Sequence, residues 1–265
     1  MKNILFYGSG NISSSIIEGL LKCGYKKKNI FAYTRNISTR NKLKKLKINS
    51  ISKKDLLNNG HKIDIYVLGV KPKDYKKAVI EILNINQAPN LVSLCAGIKT
   101  KNIAALSDKL KVVRVMPNTS CSSLNGISGI FNHNFSKTNY VYIKNLFKKL
   151  GEVIELEHEA GLNDITALFG SGPAYFFYIL KVYEKRINKL VNNEKLSKKI
   201  MQTLLQGISE SVNNDKTLDD LIDEVSSKKG TTEAAIKELK RLHFLKNFDS
   251  GIKAALIRAK EISEN

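Results

Sequence analysis

Up to Leu156 this chain reads as short β-like runs separated by helical periods, and beyond Leu156 the strand signals stop. The clearest runs are Ile4 to Tyr7, Ile30 to Tyr33, Ile63 to Val70, Leu91 to Leu94 and Val112 to Met116. Such alternation predicts a parallel, doubly wound sheet with helices on both faces. Between the first two runs, Ile16, Ile17, Leu20 and Leu21 share one helical face, and Gly24 stands where that helix should end.

The remainder is helical in period. Ala174 to Leu190 is apolar on most sides of its first turns, which predicts a buried helix. Ile200, Met201, Leu204, Leu205, Ile208 and Val212 keep helical spacing, as do Phe248, Ile252, Ala255, Ala259 and Ile262. The expected organisation is an α/β sheet domain over 1–157 and an all-α domain over 158–265. So much apolar surface in about 100 residues needs further cover, which a second copy of the chain would supply.

Composition narrows the class. The opening residues lack the long apolar run of a signal peptide, and no apolar stretch is expected to reach the roughly 18 residues of a membrane span. Cys23, Cys95 and Cys121 are odd in number and form no CxxC pair, so neither a disulfide framework nor a zinc site is indicated and a reducing, cytoplasmic setting fits. The net charge of +20 invites a nucleic-acid reading, but the lysines are scattered (Lys26 to Lys28, Lys44, Lys45, Lys148, Lys149, Lys198, Lys199) without a basic block or a nucleic-acid motif. A solvated basic surface that attracts small anions is the better reading, with neither nucleic acid nor membrane as partner.

Gly8-Ser9-Gly10-Asn11-Ile12-Ser13 follows the first strand and opens the first helix, the setting of a dinucleotide fingerprint and hence of a Rossmann-type sheet. Gly8 permits the tight turn, Gly10 admits a pyrophosphate, and the helix N-terminus offers free N–H groups to it. Ser13 replaces the third glycine, which predicts a helix set slightly further from its strand. The second strand ends in Thr34, Arg35 and Asn36, with no carboxylate to hold a ribose 2′-hydroxyl. A hydroxyl and a guanidinium suit the 2′-phosphate of NADP, so NADPH is the expected cofactor and NADH the alternative.

Read together, several segments resemble pyrroline-5-carboxylate reductase nearly end to end. They are Val70-Lys71-Pro72, Ala96-Gly97, Arg114-Val115-Met116-Pro117-Asn118-Thr119, Gly170-Ser171-Gly172-Pro173-Ala174-Tyr175, and then Val225, Ser227, Gly230, Thr231 and Thr232. The resemblance implies a Rossmann-type domain followed by a helical dimerisation domain, and an oxidoreductase of proline biosynthesis that reduces 1-pyrroline-5-carboxylate to L-proline. It also implies a homodimer or a higher oligomer of dimers. By the same comparison Val70, Lys71, Pro72, Ala96, Gly97, Met116 and Asn118 border the cofactor, beyond the carboxyl ends of the strands where an open α/β sheet binds its ligands.

At the substrate end, Ser227 to Thr232 precedes an amphipathic helix with Ala235, Leu239 and Leu242 at helical spacing. Free N–H groups at Gly230, Thr231 and Thr232 would bind the imine's carboxylate. The resemblance assigns Thr232 a hydrogen bond to the ring nitrogen. Taken alone, the segment also reads as a Ser/Thr helix cap. Lys228-Lys229 stands where the family usually has Pro-Gly, Ser120 replaces a usual proline, and Glu159 is a weaker candidate for a substrate contact. Hydride transfer to an imine asks for orientation, dryness and a donor near nitrogen. His61, His133, His158 and His243 have no ligand spacing, so no role and no metal are assigned. The catalytic lysine motif of β-hydroxyacid dehydrogenases is absent, because Gly170 to Tyr175 runs into Phe176, Phe177 and Tyr178.

Overall fold

A computed structural model describes residues 1–52, 54–56, 62–212 and 215–264. His61 lies outside the described residues. The chain forms two compact units, one of Met1–Gly170 with Ala255–Asn265 and one of Ser171–Ala254.

The first unit is built on an eight-stranded sheet of β1 (Ile4–Tyr7), β2 (Ile30–Tyr33), β3 (Asn49–Ser50), β4 (Ile65–Leu68), β5 (Asn90–Ser93), β6 (Lys111–Pro117), β7 (Gly126–Asn132) and β8 (Gly151–Glu155), in the order 3-2-1-4-5-6-7-8. Helices α1 (Asn11–Lys22), α2 (Ile37–Lys45), α3 (Tyr75–Leu83), α4 (Thr100–Ala104) and α5 (Lys137–Lys148) connect the strands, and α6 (Gly161–Ile165) follows them.

Side-chain alternation along the strands feeds two cores. Ile4, Phe6, Ile30, Val67 and Val115 pack on one face with Ile16, Ile17 and Leu20 of α1 and Ile143 and Phe147 of α5. Leu5, Tyr7, Tyr66, Leu68 and Leu91 pack on the other with Ala78, Val79 and Ile82 of α3 and Ile103 of α4. Burial of both faces explains why these strands read as continuous apolar runs.

The first six strands are parallel to one another, while β7 runs antiparallel to β6 and β8 parallel to β7. The reversal has a local cause. Only Asn118, a 3₁₀ segment (Thr119–Ser123), Leu124 and Asn125 separate β6 from β7, too little chain for a parallel crossover. The short β3 and the glycine-containing β7 and β8 carry weak strand signals, and the strand expected over 63–70 is confined to Ile65–Leu68.

The second unit is helical: α7 (Gly172–Val191), α8 (Glu194–Ser211), α9 (Leu218–Glu224), α10 (Thr231–Arg241) and the first part of α11 (Phe244–Glu264), whose last turns belong to the first unit. Tyr175 and Phe176 of α7 pack edge-on to Phe248, which stacks on Phe244. The expectation of a buried α7 is not met within one chain. Phe176, Phe177, Tyr178 and Val182 are 62 to 76% exposed, because its apolar sides outnumber the neighbours one chain offers. The stretch Gly161–Val191 is also long and apolar enough to cross a membrane, with a mean hydropathy of 1.2 over its best 18 residues, which corrects the expectation that no stretch reaches that size. The small and polar residues around 161–172 had hidden the continuity of its helical turns.

Candidate active site

The turn between β1 and α1 carries the geometry that its glycines permit. Gly8 has φ +89°, and a Cβ there would lie 2.7 Å from the Gly69 carbonyl oxygen. The backbones after β1 and β4 therefore touch, which only glycine allows. Ser13 is fully buried, and its hydroxyl donates to the Gly8 carbonyl at 2.8 Å. A Cβ on Gly69 would fall 2.2 Å from the Ser13 oxygen. The close packing that a third glycine normally provides is thus transferred to Gly69 on the opposite turn. Gly10, by contrast, has open space where a Cβ would be.

Beside this turn lies a cavity of about 450 Å³. Of the residues singled out in the sequence, Gly8, Ser9, Gly10, Thr34, Arg35, Val70 and Lys71 line it. Tyr7, Tyr33, Asn36, Thr39, Gly69, Asp74, Lys77, Ala78 and Glu81 line it as well and were not anticipated. The Ser9 hydroxyl is buried without a hydrogen-bond partner, an orphaned donor at the mouth of a helix N-terminus. Thr34 is nearly buried, and its hydroxyl accepts from the Asn36 N–H at 3.2 Å. Asn36 in turn caps α2 by accepting from the Thr39 N–H at 3.1 Å. Arg35 projects from this fixed loop with 69% of its side chain exposed. These features fit a dinucleotide: room for the pyrophosphate at Gly10, free donors at α1, and a cation at the adenosine end.

In the cavity wall the Tyr7 hydroxyl donates to the Glu81 carboxylate, and the Tyr7 and Tyr33 rings lie 4.9 Å apart. Burial, then the bond to Glu81, pushes the Tyr7 hydroxyl far above the usual tyrosine range, so it stays protonated.

Asn11 and Ile12 open α1, and Pro72 opens the 3₁₀ turn Pro72–Asp74 after β4. Ala96 and Gly97 follow β5, Met116 is the penultimate residue of β6 and Asn118 follows that strand, all at the carboxyl edge of the sheet. Two of these carry structural duties. Gly97 has φ +74°, and a Cβ there would strike Ile262 of α11. Asn118 is buried, donates to the Phe169 carbonyl at 3.2 Å and accepts from the Ile127 N–H at 3.1 Å, so its amide is already engaged.

Glu159 has partners within the sheet unit. Its carboxylate accepts from the Thr100 N–H at 2.8 Å and the Thr100 hydroxyl at 2.9 Å, and pairs with Arg114 at 3.0 Å. Both oxygens join α4 to β6, and 18% of the side chain stays exposed.

In the helical unit, Ser227 to Gly230 forms a tight turn in which the Gly230 N–H donates to the Ser227 carbonyl at 2.9 Å. Gly230 is the residue preceding α10, and no side chain caps that helix, which corrects the Ser/Thr-cap reading. The Glu233 carboxylate reaches back to accept from the Lys229 N–H. The amides of Thr231 and Thr232 are therefore left at an uncapped helix N-terminus carrying the positive end of the dipole. Lys229 takes φ +60°, the conformation for which glycine is suited.

Burial pushes the Cys95 thiol up to about 11. Among the described residues no group of three His, Cys, Asp or Glu is placed to hold a metal. The scattered lysines noted in the sequence are all exposed.

Comparison with known proteins decides the family. A pyrroline-5-carboxylate reductase from Haemophilus influenzae is 30% identical over 98% of this chain and 97% of its own length. The chain belongs to the pyrroline-5-carboxylate reductase family. The corresponding reductase of Staphylococcus aureus is likewise 30% identical over 98% of the chain. The family model for pyrroline-5-carboxylate reductase dimerisation matches residues 159–262, and that for coenzyme F420-dependent NADP oxidoreductases matches residues 3–97. The solved reductase of Coxiella burnetii superposes with a TM-score of 0.83 at 29% identity, covering 100% of this chain and 99% of that one. The Plasmodium falciparum enzyme, solved with NADP bound, gives 0.85 at 24% identity over 99% of this chain and 98% of its own, a likeness of fold.

Proposed function

We propose that this protein reduces 1-pyrroline-5-carboxylate to L-proline with NADPH, with NADH as the lesser donor. The observation that carries the reading is the 30% identity to pyrroline-5-carboxylate reductases over nearly the whole of both chains. The glycine-lined cleft with Arg35 at its edge supports the cofactor assignment. Residues 1–157 are read as the dinucleotide-binding domain and 158–265 as the dimerisation and substrate domain.

Gly8, Ser9, Gly10, Asn11 and Ile12 hold the pyrophosphate, Thr34 and Arg35 the 2′-phosphate, and Val70, Lys71, Pro72, Ala96, Gly97, Met116 and Asn118 border the remainder, Gly97 and Asn118 through their backbone. Bound there, NADPH supplies the hydride that the imine carbon accepts. The chain's own contribution is position. The amides of Thr231 and Thr232, presented by the Ser227 to Gly230 turn whose own Gly230 N–H is taken by the Ser227 carbonyl, hold the substrate carboxylate, and the Thr232 hydroxyl hydrogen-bonds the ring nitrogen, which ends as a protonated amine. The exposed apolar face of α7 and α8 is read as a homodimer surface, or the unit of a larger assembly of dimers, and the match to a dimerisation family favours this over a membrane for Gly161–Val191. A cytoplasmic location completes the reading.

The test follows oxidation of NADPH and of NADH with 1-pyrroline-5-carboxylate, in wild type and in Thr232→Ala. Turnover that is faster with NADPH and about 10²-fold or more weaker in the variant supports substrate and site together. A folded protein that binds NADPH without turning over would remove the substrate assignment and leave the cofactor site.

A further inference from the structure

Asp74 occupies the position just before α3, yet its carboxylate makes no capping bond to that helix. Aspartate favours such positions because its oxygen satisfies a free N–H. Here its Oδ2 instead faces Nη2 of Arg35 at 3.9 Å, and both residues line the cleft. Arg35 comes from the connection after β2 and Asp74 from the one after β4, so the contact joins opposite walls. With 69% and 37% of the two side chains exposed, the pair is loose and easily opened by a competing anion.

We propose that Asp74 is a specificity-determining residue that sets the balance between NADPH and NADH, an inference that rests on the cofactor reading above. A 2′-phosphate carries more than one negative charge at neutral pH and takes a guanidinium from its carboxylate partner. Asp74 then faces that phosphate as a like charge. A 2′-hydroxyl is a donor, and a carboxylate at this end of the cleft accepts from it, the part played in NAD enzymes by an acid at the end of the second strand. That acid is missing from the second strand here, and Asp74 supplies the same group from the facing wall. Arg35 and Asp74 are thus the recognition groups for the two cofactors, facing each other across a loose contact. Lys71 and Lys77 also line the cleft, so the surrounding charge favours the phosphate and Asp74 acts against it.

The experiment is equilibrium titration of NADPH and of NADH, followed by cofactor fluorescence, into wild type, Asp74→Asn and Arg35→Ala. Asp74→Asn is expected to tighten NADPH by about three- to tenfold and to weaken NADH by about two- to fivefold. Arg35→Ala is expected to weaken NADPH by about tenfold or more with little change for NADH. Asp74→Ser, which removes the charge and places a small polar side chain before α3, is titrated in parallel so that a folding fault in one variant leaves the other to decide. Equal changes for both cofactors, or weaker NADPH binding by the Asp74 variants, would overturn the proposal while leaving the cofactor site in place. Wild type that binds neither cofactor would overturn the cofactor reading and the proposal with it.

Discussion

The Arg114 guanidinium, 3% exposed, lies 3.0 Å from the carboxylate of Glu159, which also receives both the amide and the hydroxyl of Thr100. Arg114 sits on β6, Thr100 begins α4 and Glu159 lies two residues before α6, so one carboxylate ties β6, α4 and the approach to α6 together. Removing one partner of a buried ion pair leaves an uncompensated charge, at a cost of about 3–5 kcal/mol. Glu159→Ala is therefore expected to lose that much stability in urea denaturation, and Glu159→Gln distinctly less because it retains an acceptor. A loss below about 1 kcal/mol in both would show that the carboxylate is not structural.

Gly8 and Gly10 separate folding from binding. Alanine at Gly8 meets the Gly69 carbonyl at 2.7 Å in a left-handed conformation, whereas alanine at Gly10 meets nothing within 4 Å. Gly8→Ala should lose stability by about 2 kcal/mol or more. Gly10→Ala should melt within a few degrees of wild type yet bind NADPH at least about tenfold more weakly, because the new methyl stands where the pyrophosphate approaches. Calorimetry for melting and titration for binding distinguish the two.

Lys229 holds φ +60° where glycine is better suited. Lys229→Gly should raise stability by about 0.5–1 kcal/mol, and Lys229→Ala should not. Equal effects of the two substitutions in thermal unfolding would show that strain at this backbone position is negligible.

Alkali should destabilise the fold through its tyrosines. Burial and then hydrogen bonding push Tyr7, Tyr25 and Tyr140 well above the ordinary value near 10, and burial pushes Tyr66 up to about 12. The native state therefore keeps protons that the unfolded chain releases. Their stabilising contribution is whole below pH 10 and is lost as pH rises from there toward the native values. Urea midpoints should fall between pH 9.5 and 11.5, and absorbance at 295 nm should show these four of the ten tyrosines ionising only with unfolding.

Phe177 and Tyr178 are 66% and 76% exposed on α7. If they belong to a self-association surface, the wild type will sediment as a multiple of its 29.7 kDa chain, and Phe177→Glu with Tyr178→Glu will shift it toward the monomer. A monomeric wild type at micromolar concentration would remove the homodimer from the functional reading.

Much of this was legible from the sequence because it is encoded locally. Strand and helix periods, the Gly8-Ser9-Gly10 turn between them, the absence of a carboxylate after β2, and the Ser227 to Gly230 segment leading into a helix all depend on residues a few positions apart. The tertiary structure alone decided what brings distant residues together. It turned β7 antiparallel through a link too short for a crossover, and set Gly69 against Ser13 so that a serine fits where a third glycine is usual. It also engaged Glu159 with Arg114 and Thr100, and placed Asp74 across the cleft from Arg35. Such pairings follow from which chain segments become neighbours in the sheet, and a period of two or 3.6 residues carries no record of that choice.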